Sequence, residues 1–79
     1  TEERRRALSK QVSQLGEIAK VSIRAARKDA NETLKKLLKS GLGEDLEKDA
    51  EEQVQEMTAD FSKKVDKMLE VKTQEIFTI

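Results

Sequence analysis

The chain has no cysteine, histidine, proline, tryptophan or tyrosine. Without cysteine there is neither a disulfide framework nor thiolate chemistry. Without histidine the commonest metal ligand and the commonest general base near neutral pH are both missing. Two phenylalanines are the only aromatics, too few to interleave with basic residues as stacking platforms for single-stranded bases. Proline's absence removes the strongest helix breaker. No apolar run approaches the roughly 18 residues that a membrane span needs, and residues 1–20 are too polar for the apolar centre of a signal peptide. No phosphate-cradling glycine loop, zinc-ligand spacing or nucleophile triad is present. These absences predict a protein that is not an enzyme, with no metal, no cofactor, no small-molecule substrate and no membrane partner.

What is present is charge. Of the 79 residues, 41% are charged and 35% hydrophobic. Ala, Glu, Lys, Leu and Arg dominate, as they do in long helices. The length permits one small domain at most, and so short a chain buries only a modest share of its surface unless it gains a staple or a partner. The net charge of zero hides an asymmetry: residues 1–40 hold eleven Lys/Arg against five Asp/Glu, and residues 41–79 hold five against eleven. A basic first half points to a polyanion partner. Two antiparallel helices attracting each other would account for the same asymmetry.

Periodicity sets the fold class. Leu8, Val12, Leu15, Ala19, Ile23, Ala26, Ala30, Leu34 and Leu37 recur with a mean step of about 3.6 residues, the α-helical repeat. Leu46, Ala50, Val54, Met57, Phe61, Val65 and Met68 recur with a mean step of about 3.7. The break between them is Ser40-Gly41-Leu42-Gly43. Gly41 suits a left-handed helix stop after Lys35, Lys36 and Lys39, whose cations favour a helix C-terminus. Glu44, Asp45 and Glu47 suit the first turn of the helix that follows, and Thr1 before Glu2 and Glu3 suits the start of the first. The prediction is an all-α antiparallel hairpin: helix 2–40, turn 41–43, helix 44–77. Ile18, Val21 and Ala25 in the first helix, with Leu69 and Val71 in the second, widen the apolar face beyond a two-helix seam. A third helix outside these residues, or self-association, would cover the excess. Met57 and Met68 are expected as core filler. Gly16 sits inside a helix at a cost of about 1 kcal/mol relative to alanine and is expected as a tolerated surface residue.

The residues able to carry function lie on the first helix, on the side expected opposite its apolar stripe. Lys20, Arg24, Arg27, Lys28, Asn31 and Lys35 fall at spacings that make them neighbours on one face. Arg24 and Arg27 stand one turn apart, and the planar guanidinium fork matches phosphate oxygens. Contact with the backbone of folded RNA by shape and charge fits this pattern. A solvated face, or pairing with the acidic second helix, fits the bare pattern too. Arg4-Arg5-Arg6 forms a second basic cluster that opposes the helix dipole. Glu51, Glu52, Glu56 and Asp60 form an acidic face whose carboxylates are most simply solvated.

Two blocks of sequence resemble one known family. Thr1-Glu2-Glu3-Arg4-Arg5 matches the TEERR of the ribosome recycling factor family, and the segment from Val21 through Ile23-Arg24-Ala25-Ala26-Arg27-Lys28-Asp29-Ala30 to Asn31 matches its V-x-[IVL]-R-N-x-R-R-D-A pattern. The likeness runs through to Ile79. Ala25 stands where the family has asparagine and Lys28 where it has arginine; lysine keeps the charge but loses the fork. The resemblance implies a three-helix-bundle domain with a smaller α/β domain inserted between its first and second helices. Residues 1–79 would be helices two and three, without the first helix or the inserted domain. It implies binding to the large ribosomal subunit after translation termination, and splitting of the ribosome with elongation factor G, met through the small domain. It also implies contact with ribosomal RNA by Arg5, Arg24 and Arg27, with Lys20, Lys28 and Asn31 beside them. The compartment would be the bacterial cytoplasm or an organelle. The alternative is a structural coiled-coil hairpin acting as a protein-interaction arm.

Overall fold

The computed structural model describes residues 1–78; Ile79, the end of the family likeness, lies outside the described residues. The chain forms two α-helices, α1 (Glu2–Lys39) and α2 (Glu44–Phe77), packed as an antiparallel hairpin. Among the described residues there is no strand. The hairpin measures 60 × 15 × 7 Å. At 1.5 Å per residue the 38 residues of α1 span about 57 Å, so α1 runs straight for the full length of the molecule.

Local chemistry fixes both ends of α1. Arg4 N–H donates to Thr1 Oγ1 at 3.2 Å, giving one of the orphan donors of the first turn a partner. At the other end Gly41 takes φ +113°, a region that L side chains rarely enter. Leu42 N–H then donates to the Leu37 carbonyl at 2.9 Å and Gly41 N–H to the Leu38 carbonyl at 3.3 Å. That pair of bonds is the Schellman arrangement, which turns the chain and satisfies the last carbonyls together. Ser40 caps α1, and Gly43 opens α2 without a side-chain cap. Glu44, Asp45 and Glu47 supply negative charge to the first turn of α2.

The seam between the helices is narrow and partly polar. Val12, Ala19, Ile23, Ala30 and Leu34 of α1 are half-buried, as are Ala50, Val54, Val65, Leu69 and Ile76 of α2. Ser9, Thr58, Ser62 and Thr73 share the same partly buried positions. No described apolar side chain is buried outright. Small polar residues remove little apolar area from water, so two helices alone gain little hydrophobic stabilisation here.

Half of the expected core stripe therefore stays outside. Leu8, Leu15, Leu37, Leu46, Met57, Phe61 and Met68 are exposed. Met57 and Met68 are not core filler in the hairpin, at 58% and 70% exposure. The reason is geometric: a helix pair uses one edge of an apolar face and leaves the other edge open. Val12, Leu15, Met68, Leu69 and Val71 line a groove of about 560 Å³ on that open side. Ile23, Ala26, Ala30, Val54, Met57 and Phe61 line a second, of about 260 Å³. Ile18, Val21 and Ala25 do not join these grooves: Val21 and Ala25 lie among basic side chains, and Ile18 borders a separate surface hollow.

Gly16 is buried, contrary to its expectation as a surface residue. A Cβ there would sit 2.5 Å from Leu69 Cδ1 and 2.7 Å from Leu69 Cδ2. The missing side chain lets Leu69 seat against the α1 backbone.

Candidate nucleic-acid interface

The hairpin seam has two flanks. One is the apolar side just described; the other is basic. On the basic side Arg24, Arg27, Lys28, Asn31 and Lys35 of α1 line a hollow of about 660 Å³, with Val21 and Ala25 as its apolar part and Glu32 as a carboxylate in the same lining. Arg24, Lys28 and Lys35 are exposed, while Arg27 and Asn31 are half-buried. The basic face thus flanks the seam and does not lie opposite it. Arg27 lines both this hollow and the groove with Val54 and Met57. Half-buried and lining both, Arg27 links the apolar groove to the basic hollow, as a long side chain with an apolar stem and a charged head can.

Electrostatics show which charges are free. Arg24, Arg27, Lys28 and Lys35 have no carboxylate within ion-pair distance among the described residues, while Lys20 Nζ meets Asp66 Oδ1 at 2.5 Å. That is the one described ion pair joining the helices; the others, Arg6–Glu2, Lys67–Glu70 and Lys72–Glu75, are local to one helix. Close ion pairing between the helices therefore takes up only Lys20 of the basic face among the described residues, while Lys35 acts on the charge of Glu47 from a greater distance. The acidic residues explain why: Glu52, Glu56 and Asp60 are exposed and make no described ion pair to α1. No three acidic groups converge on a metal-holding arrangement among the described residues.

Two polar groups are less comfortable. Asn31 Oδ1 is buried without a hydrogen-bond partner, an arrangement that costs about 1–3 kcal/mol unless a donor reaches it. Glu47 is the most buried charged residue, at 8% exposure. Burial first, then a hydrogen bond with Glu51 and the charge of Glu51, raise its pKa above the usual carboxylate range, and Lys35 offsets part of that rise.

The six residues singled out from sequence are not all together. Arg24, Arg27, Lys28 and Asn31 share the hollow. Lys20 stands apart, held by Asp66. Arg5 is half-buried near the start of α1, nineteen residues and roughly 28 Å from Arg24 at 1.5 Å per residue. Val21 and Ala25 belong to the hollow as well. Their spacing of three residues before Arg24 and before Lys28 carries that signal, but an apolar residue at such spacing reads equally as part of a core stripe.

The family model for ribosome recycling factor matches residues 1–77. The chain belongs to the ribosome recycling factor family. It is 50% identical to the ribosome-recycling factor of Bdellovibrio bacteriovorus, over all of this chain and 43% of that protein. It is 51% identical to that of Flavobacterium psychrophilum, over all of this chain and 42% of the relative, and 48% identical to that of Rickettsia conorii, over all of this chain and 43% of the relative. The chain thus spans about two-fifths of the length of the curated relatives it matches. No solved structure matches it.

Proposed function

We propose that residues 1–79 are the second and third helices of the three-helix-bundle domain of a ribosome recycling factor, and that they bind ribosomal RNA of the large subunit through the basic flank of α1. In the complete protein this binding serves to split the post-termination ribosome together with elongation factor G. The elongation factor would be met by the small α/β domain, which lies outside these residues. The chain acts by binding and not by catalysis. Its compartment would be the bacterial cytoplasm or an organelle; no helix of the described residues is long and apolar enough to cross a membrane.

The observation that carries the reading is the hollow where Arg24, Arg27 and Lys28 stand without a carboxylate partner among the described residues. Guanidinium and ammonium groups held on a rigid helix match a phosphate ribbon. Asn31 Oδ1, an acceptor without a donor, adds a polar demand at the same place. The two open apolar grooves support the domain assignment, because a first helix of the bundle would cover them.

The test is pelleting of the complete protein with purified large ribosomal subunits, as wild type and as Arg27→Ala, at two salt concentrations. Binding should fall steeply with salt as counterions are released, and fall further with the substitution. Equal pelleting of both proteins at both salts removes the basic flank as the site. The apolar grooves favour a second reading, a helical hairpin serving as a protein-interaction arm; absence of pelleting for wild type would favour it.

A further inference from the structure

The basic flank continues beyond the hollow. Arg6 and Lys10 are exposed and stand four residues apart on α1, as Arg24 and Lys28 do. Each member of the first pair precedes its counterpart by eighteen residues. Eighteen residues are five turns of 3.6 residues, so both pairs project from α1 in the same direction. The rise between them is about 27 Å at 1.5 Å per residue. That distance is fixed, because α1 is a single uninterrupted helix as long as the molecule.

The first pair is free to act. Arg6 Nε reaches Glu2 at 3.5 Å, with 76% and 59% of the two side chains exposed; so exposed a pair holds its partners weakly. Lys10 makes no described ion pair. Glu17 is a carboxylate on the line between the pairs, lining a surface hollow with Lys10, and it stands where Lys35 stands relative to the second pair, eighteen residues on. The basic flank is therefore two cationic clamps separated by a less favourable stretch. Neighbouring Arg4 and Arg5 fall off this line: eighteen residues further on their directions are those of Ser22 and Ile23, the latter a seam residue.

We infer that Arg6 and Lys10 form a second phosphate-binding clamp in register with Arg24 and Lys28, so that α1 grips two lengths of RNA backbone about 27 Å apart. This rests on the reading of the hollow as an RNA-binding face and deepens it. Such spacing exceeds the reach of side chains on one turn, so the partner is a folded RNA that presents two phosphate ribbons at a set separation. The arrangement recognises shape, which suits a face without stacking aromatics.

The experiment measures affinity of the complete protein for purified large ribosomal subunits from 50 to 200 mM salt. Three double variants are compared with wild type: Arg6→Ala with Lys10→Ala, Arg24→Ala with Lys28→Ala, and Lys48→Ala with Lys63→Ala, which removes two exposed charges of α2, away from the line. Each phosphate contact accounts for roughly a threefold loss over that salt range. The first two variants should each lose about tenfold less affinity than wild type between the two salts, and the third should behave as wild type. If only the Arg24 and Lys28 variant is flattened, the second clamp is overturned and the hollow stands. A wild-type slope in the Arg24 and Lys28 variant overturns the reading on which the clamp rests. Equal flattening in all three, the third included, means net charge alone acts and also overturns the clamp.

Discussion

Leu69 lies against the backbone of α1 at Gly16, in space that any side chain on residue 16 would claim. Two effects oppose each other there. Alanine in a helix interior is favoured over glycine by about 1 kcal/mol. Forcing a methyl group into Leu69, with its Cγ only 3.1 Å from the new atom, costs typically about 1–3 kcal/mol. Overpacking should win, and Gly16→Ala should lower stability by about 1 kcal/mol, the difference between those two ranges. Combined with Leu69→Ala the same substitution should be neutral or stabilising, because the obstacle is gone while the propensity gain remains. A double-mutant cycle in urea measures this. Additive effects would show that residue 16 and Leu69 do not compete for space.

The same pair shows what the sequence could and could not convey. A 3.6-residue repeat reports that an apolar face exists, because burial on a helix follows its pitch. The turn was equally legible: Gly41 and the flanking charges each answer a local demand of a helix end. Which edge of the face meets the partner helix is set by interhelical packing, which a single helix pattern does not encode. So Met68 and Leu15, strong members of the repeat, lie outside, and Gly16, which carries no side chain to register in the repeat, lies inside. The basic residues followed the same rule. Arg24, Arg27, Lys28 and Asn31 were readable as neighbours from spacing, but the pairing of Lys20 with Asp66 depends on the register between helices.

Glu47 makes the stability of the hairpin depend on pH in an unusual direction. Burial, then its hydrogen bond with Glu51 and the charge of Glu51, raise its pKa above the ordinary 4.5, with Lys35 acting the other way. The folded state therefore holds this proton more tightly than the unfolded chain does. Such a group contributes stability in full below about pH 4.5, and the contribution is lost as pH rises through the folded-state value. Once pH passes the folded-state value, the ionised carboxylate is a liability in its buried position. Glu47→Gln should then raise the melting temperature at pH 7 and leave it nearly unchanged at pH 4, as followed by circular dichroism. A lower melting temperature at pH 7 would mean that the charge is favoured there, by the N-terminus of α2 or by Lys35.

Met68 tests whether the apolar grooves are covered in the complete protein. In the hairpin it is 70% exposed and borders the groove with Val12, Leu15 and Val71. A substitution at so exposed a position usually changes stability by no more than about 0.5 kcal/mol. Met68→Glu should therefore leave the helical signal of the isolated 79 residues nearly unchanged. In the complete protein, a helix lying in the groove would enclose the new carboxylate and strip its water. An enclosed, unpaired polar group costs at least about 2 kcal/mol, so the same substitution should lower the urea midpoint of the complete protein markedly. Lys72, which lines the same groove, sits one turn away and would relieve only part of that cost from its exposed position. A small loss in both proteins would mean the groove stays open to water. The three-helix assignment would then lose its main structural support, and a groove that remains open would be better read as a surface for another protein.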